Sequence, residues 1–297
     1  MSSILDQIAQ YKRTCELPER MRQVPLSVVQ ARAAMAPLPR DLTAAIRSRS
    51  PGALIAEIKR ASPSRGLLNP NFDPVQLAAL YAANGAAAIS VVTDARFFQG
   101  DLAYLSAIRA HFDSGAHGEL DRGDLSSDET DTSTPQGAQH QSGSAQPVPL
   151  LRKDFLIHPY QVYESRAAGA DAVLLIAALL DDQALEEMLA LTLELGMAAL
   201  VEVHTAAELA RVLPLRPPLI GVNNRNLHTF KVSLETCLRL RPLVPPDICY
   251  VAESGIHTSA DVVRLREAGV DAMLIGEALV TASDVAAKVQ EFCHAAR

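Results

Sequence analysis

Short, continuous runs of apolar residues recur along the chain and are the main signal of its secondary structure. Several follow a helical stretch that ends at a glycine, as at Gly85, Gly169, Gly196 and Gly269. Glycine tolerates the left-handed conformation that ends many helices. Uninterrupted apolar runs are typical of strands buried on both faces of a parallel sheet. The pattern predicts eight strands, at about residues 54–58, 88–92, 148–152, 172–176, 198–202, 219–222, 249–252 and 272–275.

Helical stretches separate these strands, as parallel strands require. Two helix starts carry proline at the first helical position, in Asp73-Pro74 and His158-Pro159. Eight strand–helix units predict the α/β class and a closed (βα)8 TIM barrel. A doubly wound open sheet is the alternative, but no Gly-x-Gly-x-x-Gly motif follows the first strand.

The predicted barrel forms one domain within residues 1–297, and residues 1–53 precede it. We expect this N-terminal extension to be helical around 3–15 and 26–35 and to pack on the barrel. Residues 113–147 contain mostly Ser, Gly, Gln and Asp and almost no apolar residues. Such a segment buries too little surface to offset its ordering entropy, which predicts a disordered insertion.

The insertion falls between the second helix and the third strand, and therefore at the barrel face opposite the one where barrel enzymes act. A tolerated surface insertion is favoured, with an acidic docking segment as the alternative. The 297-residue chain has a formal net charge of −7, and residues 113–147 hold seven acidic side chains and one basic one. The net charge is therefore close to zero over the rest of the chain.

The acidic balance argues against a nucleic-acid or anionic-membrane partner. No apolar run approaches the length needed to cross a bilayer, and residues 1–13 lack the apolar core of a secretory signal. Four widely separated cysteines indicate neither a disulfide framework nor a zinc knuckle. We therefore expect a cytoplasmic protein, with a monomer as the simplest oligomeric state.

Polar side chains follow several of the predicted strands at the point where each strand ends. In a barrel these carboxyl ends meet at one rim, where barrel enzymes have their active sites. Period-two alternation places Glu57 and Lys59 on the same side of the first strand. The set comprises two lysines, three carboxylates and an amide: Glu57, Lys59, Lys153, Glu202, Asn223 and Glu253.

No His–carboxylate cluster has metal-ligand spacing, so neither a metal nor another cofactor is expected. We interpret His204, at the end of the fifth strand, as a hydrogen-bonded loop histidine rather than a ligand.

Glycines directly follow the last two strands, in Ser254-Gly255 and Gly276-Glu277. Barrels commonly bind phosphate there with backbone N–H groups, which predicts a phosphate site. The hydroxyl of Ser62, after the first strand, is a further candidate ligand. Because the Glu277 carboxylate would repel an anion, it must point away from the site.

At these residues the sequence resembles the indole-3-glycerol phosphate synthase family of tryptophan biosynthesis. The resemblance extends over nearly the whole chain outside 113–147, and its motifs fall in order at the predicted strand ends. They are IAEIKRASPS at 55–64, SVVTDARFFQG at 90–100, LRKDF at 151–155, LVEV at 200–203, IGVNNRNL at 220–227, VAESGI at 251–256 and LIGEAL at 274–279.

The resemblance implies closure of the indole ring of 1-(2-carboxyphenylamino)-1-deoxyribulose 5-phosphate, with loss of carbon dioxide and water. It matches Lys153 to the general acid that protonates the ketone and Glu202 to the group that assists dehydration. Lys59 matches a lysine that holds the substrate carboxylate, and the division of proton transfer between Lys59 and Lys153 is open. Glu57 matches a carboxylate that orients the substrate.

Four further residues match supporting or substrate-binding positions of the family, and two match the apolar walls around the aromatic ring. The first four are Asn223, Arg225, Glu253 and Ser254, and the walls are Phe98 and Leu227. Because the chain ends soon after the eighth strand, we expect a monofunctional enzyme without a fused isomerase barrel.

Two other functions fit the same barrel rim. A Schiff-base aldolase would use Lys153 as a nucleophile instead of an acid. A non-catalytic barrel that binds a phosphorylated ligand would retain the fold without turnover. The joint presence of Glu57, Lys59, Lys153 and Glu202 argues against a mere binding protein, because binding alone does not require opposed acid and base groups.

Overall fold

A computed structural model describes residues 4–63, 65–70, 72–115, 147–226 and 231–297. Eight parallel strands form a closed barrel in which each strand pairs with its neighbours along the chain and the last pairs with the first. The predicted α/β barrel is confirmed, and the open-sheet alternative is wrong. The strands are β1 (Ala53–Ile58), β2 (Ala88–Val92), β3 (Leu150–Lys153), β4 (Ala172–Ile176), β5 (Ala198–Val203), β6 (Leu219–Asn223), β7 (Cys249–Glu253) and β8 (Ala272–Ile275).

Helices precede the barrel and alternate with its strands. Residues 4–23 are helical throughout, because a π-helical turn, Lys12–Glu16, joins the first two helices. The α-helices are α1 (Ile4–Tyr11), α2 (Leu17–Gln23), α3 (Leu26–Met35), α4 (Leu42–Arg47), α5 (Pro74–Ala83), α6 (Ala95–Phe98), α7 (Ala103–Asp113), α8 (Pro159–Ala167), α9 (Asp182–Glu194), α10 (Ala206–Val212), α11 (Glu235–Leu240), α12 (Ser259–Glu267), α13 (Glu277–Val280) and α14 (Val285–Ala295).

Both faces of the strands are buried, which explains their continuous apolar runs. On β1, Leu54 and Ile58 belong to the apolar layer between strands and outer helices. Ala53 and Ile55 belong to the cluster inside the barrel. This alternation, expected of a strand, continues to the carboxyl end, where position 57 falls on the inner side.

Helix α4 closes the amino-terminal end of the barrel. Its Leu42 and Ile46 are fully buried in the inner cluster with Ala53, Ala88 and Ala272. These small residues lie near the amino-terminal ends of their strands and leave room for the two larger side chains. Substrate access is therefore left to the opposite end.

A buried ionic network attaches the N-terminal extension to the barrel. Lys12, which is 0% exposed, lies 2.9 Å from Asp94, 2.8 Å from Asp154 and 2.9 Å from Glu16. Burial lowers the pKa of Lys12, but these carboxylates outweigh it and raise the pKa overall. Asp154 also pairs with the buried Arg152 at 2.9 Å. Because Arg152 and Asp154 flank Lys153 in the sequence, the network reaches the residues on either side of Lys153.

We expect Lys12→Met to lower the free energy of unfolding by about 3–5 kcal/mol, because buried carboxylates would lose their cation. Urea unfolding at neutral pH measures the loss. Lys288→Met is the matched control: Lys288 pairs with Glu291 at the surface, where an ion pair contributes about 1 kcal/mol or less. Equal losses in the two variants would show that the buried network does not anchor the extension.

The predicted insertion, 113–147, lies mostly outside the described residues, and its described ends are tied to the barrel. Asp113 is the last residue of α7 and binds Arg109 at 2.9 Å and Arg40 at 2.5 Å. Arg40 also donates to the carbonyl oxygen of Val148 at 3.1 Å. Both ends of the segment thus lie near one arginine.

We expect deletion of residues 116–146, with a short linker from Gly115 to Pro147, to leave kcat within about threefold of the full chain, since surface loops tolerate length changes. The deletion keeps the contacts of Asp113. Steady-state kinetics and thermal unfolding measure the result. A collapse of activity with an unchanged Tm would show that this segment serves the reaction.

No helix within the described ranges is long and apolar enough to cross a membrane.

Candidate active site

One cavity at the carboxyl end of the barrel is lined by every predicted site residue that the structure describes. These are Glu57, Lys59, Ser62, Phe98, Lys153, Glu202, Asn223, Arg225, Glu253, Ser254, Gly255, Gly276 and Glu277. Leu227, the other predicted wall residue, lies outside the described residues. The inner-face alternation of the strands therefore brings together residues that are up to 220 positions apart in sequence.

Lys153 lies between two buried carboxylates. Its Nζ atom is 3.3 Å from Glu202 Oε2 and 3.5 Å from Glu253 Oε2. Both glutamate side chains are at most 3% exposed, whereas the lysine side chain is 18% exposed towards the cavity. The ammonium group therefore has acidic partners beneath it and remains accessible from the cavity.

Lys59 and Glu57 form a second pair across the cavity mouth. Lys59 Nζ donates to Glu57 Oε1 at 2.5 Å, and the lysine side chain is 17% exposed. Burial would raise the pKa of Glu57, but the charges of Lys59 and Lys153 outweigh it and lower the pKa overall. Glu57 is therefore a carboxylate at neutral pH.

The buried carboxylates differ in protonation. Burial opposes the charge of Lys153, but Glu202 and Glu253 raise its pKa, so Lys153 is an ammonium ion. Burial also opposes the charge of Glu202, yet Lys153 and His204 lower its pKa. For Glu253, burial and then the charge of Glu202 raise the pKa to about 8. At neutral pH the site thus contains an ionised Glu202 and a protonated Glu253.

The raised pKa of Glu253 makes stability depend on pH. Below about pH 4.5 the carboxyl group is protonated in both folded and unfolded chains. As the pH rises to about 8, only the unfolded chain releases this proton. The contribution to the free energy of unfolding therefore falls as the pH rises through this window.

We expect Glu253→Gln to lack this loss, so its stability relative to the wild type should increase between pH 5 and pH 8. Urea unfolding of both proteins at several pH values measures the difference. Glu187→Gln, on the exposed side of α9, is the control and should follow the wild type. Parallel curves for wild type and Glu253→Gln would contradict the raised pKa.

Small residues surround the predicted phosphate site. Ser254 and Gly255, directly after β7, have φ angles of 66° and 79°, so two successive residues are in the left-handed region. Gly276, directly after β8, adjoins Glu57 so closely that a Cβ atom would overlap that carboxylate. Glycine at 276 thus makes room for Glu57 as well as for a ligand.

The Glu277 carboxylate has a cationic partner. Arg65 Nη2 lies 2.8 Å from Glu277 Oε1. A short hairpin follows β1, in which Ala61–Ser62 pairs with Gly66–Leu67. Arg65 directly precedes the second of these two strands. This hairpin, absent from the predicted elements, places Ser62 at the cavity.

Aromatic and aliphatic side chains form the other wall. Phe98, at the end of α6, lies 5.9 Å from Phe155 between ring centroids. Ile4, Leu5 and Ile8 of α1 also line the cavity, so the N-terminal extension is part of the site wall. The sequence analysis missed these residues, although Phe155 directly follows the LRKD segment and α1 has an apolar face.

Asn223 and His204 support the carboxylate of Glu202. Asn223 contributes a side-chain hydrogen bond that lowers the pKa of Glu202, and its Oδ1 accepts from the N–H of Arg225 at 3.0 Å. His204 Nε2 lies 3.2 Å from Glu202 Oε1. His204 therefore contacts a candidate catalytic group directly, in addition to the loop role expected for it.

The chain is similar throughout its length to one family of barrel proteins. A family model described as "Indole-3-glycerol phosphate synthase" matches residues 5–117 and 130–292. The indole-3-glycerol phosphate synthase of Roseiflexus castenholzii is 50% identical over 293 residues, which are 98% of each chain. Its counterpart in Dehalococcoides mccartyi is 46% identical over 277 residues, 93% of this chain and 95% of that protein.

Solved structures with much lower identity share the barrel fold. The 3-hexulose-6-phosphate synthase of Salmonella typhimurium has a TM-score of 0.58 and 11% identity, with 82% of this chain and 97% of that chain covered. Thiamine phosphate pyrophosphorylase from Pyrococcus furiosus has a TM-score of 0.54 and 14% identity, with 86% and 98% covered. At these identities the likeness concerns the fold alone.

Proposed function

The chain belongs to the indole-3-glycerol phosphate synthase family, and on that premise we propose how its barrel rim performs the reaction. The enzyme is a carboxy-lyase of tryptophan biosynthesis. It closes the ring of 1-(2-carboxyphenylamino)-1-deoxyribulose 5-phosphate and releases carbon dioxide and water. The observation that carries the assignment of roles is the buried cluster of Lys153, Glu202 and Glu253 at the base of the cavity.

Lys153 is the general acid of ring closure. As the aromatic carbon attacks the ketone, the oxygen becomes an alkoxide, which is a poor product unless it is protonated. The ammonium group of Lys153 lies beside Glu202 and Glu253, is accessible from the cavity and supplies this proton. The raised pKa of Lys153 also argues against the aldolase alternative, because a protonated amine is not a nucleophile.

Glu202 acts in the dehydration that completes the indole ring. After carbon dioxide leaves, the ring carries a hydroxyl group on one carbon and a hydrogen to be lost from the next. An ionised carboxylate near Lys153 is suited to accept that hydrogen as a proton. Asn223 and His204 hold the carboxylate in place.

The remaining cavity residues bind the substrate. Lys59, held by Glu57, pairs with the substrate carboxylate. Lys59 and Lys153 belong to different ion pairs, which supports a division of roles between the two lysines. Phe98 forms an apolar wall for the aromatic ring, with Phe155 beside it. The supporting and substrate-binding side chains also include Arg225, Ser254 and Leu227.

The phosphate end of the substrate meets the hydroxyl of Ser62 and backbone groups at Gly255, Gly276 and Glu277. The Arg65 guanidinium supports this assignment because it draws the Glu277 carboxylate into an ion pair. A phosphorylated small molecule is thus the partner of this rim.

Indole formation by the purified protein tests the function. At saturating substrate, the fluorescence of the indole product should increase, and one carbon dioxide should be released per product. Absence of both signals would overturn the proposed function and favour a binding protein. Borohydride treatment with substrate present should leave no lysine adduct, and a trapped adduct on Lys153 would instead identify an aldolase.

We also propose a monomeric, cytoplasmic enzyme built as one barrel domain, with residues 1–53 as a helical extension and 113–147 as an insertion. Unpaired thiols support a reducing compartment, since Cys237 and Cys249 are buried and free. Light scattering on the purified protein tests the oligomeric state.

A further inference from the structure

The proposed reaction consumes a proton in every turnover. The substrate carboxylate leaves as neutral carbon dioxide, and the ketone oxygen leaves as water. Ring closure takes one proton from Lys153, whereas dehydration removes a hydroxyl group and one carbon-bound hydrogen, which together make water. The balance is therefore one proton taken from solvent per product, and Lys153 must regain it before the next turnover.

A chain of three side chains connects Lys153 to the protein surface. Lys153 Nζ lies 3.3 Å from Glu202 Oε2. On the other side of that carboxylate, His204 Nε2 lies 3.2 Å from Glu202 Oε1. His204 Nδ1 is in turn 3.3 Å from Glu208 Oε2. Each ring nitrogen of the imidazole thus faces a different carboxylate.

Exposure increases steadily along this chain. The side chains of Glu202, His204 and Glu208 are 3%, 8% and 18% exposed. Glu208 lies in the first turn of α10, outside the cavity lining. The chain therefore connects the base of the cavity to solvent without crossing the substrate-binding region.

Local hydrogen bonds fix the outer half of the chain. Glu208 Oε2 accepts from the backbone N–H of His204 at 2.8 Å, and Glu208 Oε1 accepts from Thr205 Oγ1 at 3.1 Å. These bonds also explain why a glutamate suits the third position of α10. These bonds do not depend on the contact between the His204 imidazole and Glu202. That contact links the start of α10 to the cavity.

We propose, on the basis of the proposed function, that Glu208 and His204 form a proton relay that reprotonates Lys153 through Glu202. The imidazolium gives its Nε2 proton to the Glu202 carboxylate, which turns about its Cγ–Cδ bond and passes the proton to the neutral Lys153 amine. The neutral imidazole keeps its Nδ1 proton, so the ring turns over and brings its unprotonated nitrogen to Glu208. That nitrogen regains a proton from Glu208, and Glu208 takes its proton from water. No bond other than these N–H and O–H bonds forms or breaks.

Charge supports this direction of transfer. Burial lowers the pKa of His204, but the neighbouring carboxylates of Glu202 and Glu208 outweigh that effect and raise the pKa to about 10. The imidazole is therefore protonated and positively charged at neutral pH. Once Lys153 has lost its proton, Glu202 has lost one of its two neighbouring cations, and a proton passed from His204 to Lys153 restores the ammonium group beside it.

Rapid mixing of substrate with micromolar enzyme separates the relay from a structural role. In Glu208→Gln, Lys153 starts protonated, so the first turnover should proceed within about twofold of the wild-type rate. Later turnovers should slow by about 10²-fold, the lower end of the usual range for proton-transfer effects. The expected trace is a burst of one product per site, followed by a slow phase. Added imidazole should accelerate the slow phase of His204→Ala.

His294→Asn, an exposed histidine on α14, is the matched control and should show no burst. If first and later turnovers slow in parallel in Glu208→Gln, Glu208 is structural and the relay is overturned. If neither phase changes, solvent reaches Lys153 directly and the relay is also overturned. A wild type that forms no product would overturn the proposed function, and the relay with it.

Discussion

Lys153→Met should abolish ring closure while substrate still binds. Methionine fills a similar volume but has no proton to give to the developing alkoxide, so we expect kcat to fall by at least about 10³-fold. KM should change by no more than about threefold, because an interaction made only in the transition state affects kcat alone. Neither carbon dioxide nor indole should form, since ring closure precedes both products.

Lys59→Met is the matched comparison, because it removes a second ammonium group from the same cavity. We expect its main effect on KM, as the substrate carboxylate loses its cation. Circular dichroism and urea unfolding of both variants exclude a loss of fold. If Lys153→Met raised KM with kcat unchanged, Lys153 would be a binding residue, and Lys59 would be the better candidate for the acid.

The period-two pattern of the strands was sufficient to predict which side chains meet at the rim. Glu57 lies two residues beyond Ile55, and Ile55 faces the barrel interior. The same inner-face register leads from Leu151 to Lys153 and from Leu200 to Glu202. A closed barrel converts this local alternation into a common site, because every strand ends at the same face.

Contacts between distant segments could not be read from the pattern. Lys12 lies in a polar stretch of the extension, and no local signal indicates that Asp94 and Asp154 neutralise it. The role of α4 is similarly non-local, since Leu42 and Ile46 are apolar in any helix but reveal their place only once the barrel is closed. Helix propensity and hydrophobic periodicity predict which side of a helix is apolar. They do not predict which other element packs against that side.

His204 illustrates a more specific gap. An isolated histidine after a strand is most often a hydrogen-bonded loop residue, and its bond with Glu208 fits that interpretation. Its second nitrogen lies at Glu202 because residue 202 faces inwards and the chain turns immediately afterwards into α10. A glutamate and a histidine two residues apart at a strand end therefore merit attention as a pair.

Glu202 and Glu253 share the ammonium group of Lys153, so removal of the charge on one of them should change the pKa of the other. The charge of Glu202 is the second cause, after burial, of the raised pKa of Glu253. Removal of that charge should therefore lower the pKa of Glu253 towards the ordinary range. Substitution of Glu202 thus removes a base and also makes its neighbour more acidic.

Glu202→Gln should separate decarboxylation from dehydration. Lys153 still protonates the ketone, so ring closure and loss of carbon dioxide continue, whereas the proton to be lost from the ring carbon has no base. We expect indole formation to slow by about 10²–10⁴-fold, the usual range for loss of a general base. Release of labelled carbon dioxide, measured beside indole fluorescence, should exceed indole formation in the early phase.

The excess of carbon dioxide over indole distinguishes this role from a structural one, because a distorted site would slow both products together. Glu187→Gln on the surface of α9 is the isosteric control and should keep the two products equal. If Glu202→Gln released carbon dioxide and indole in a one-to-one ratio at a reduced rate, Glu202 would act before or during ring closure. Its 3.3 Å contact with Lys153 would then serve to orient the acid, and the base of dehydration would have to be sought at Glu57, a further carboxylate of this cavity whose pKa is lowered.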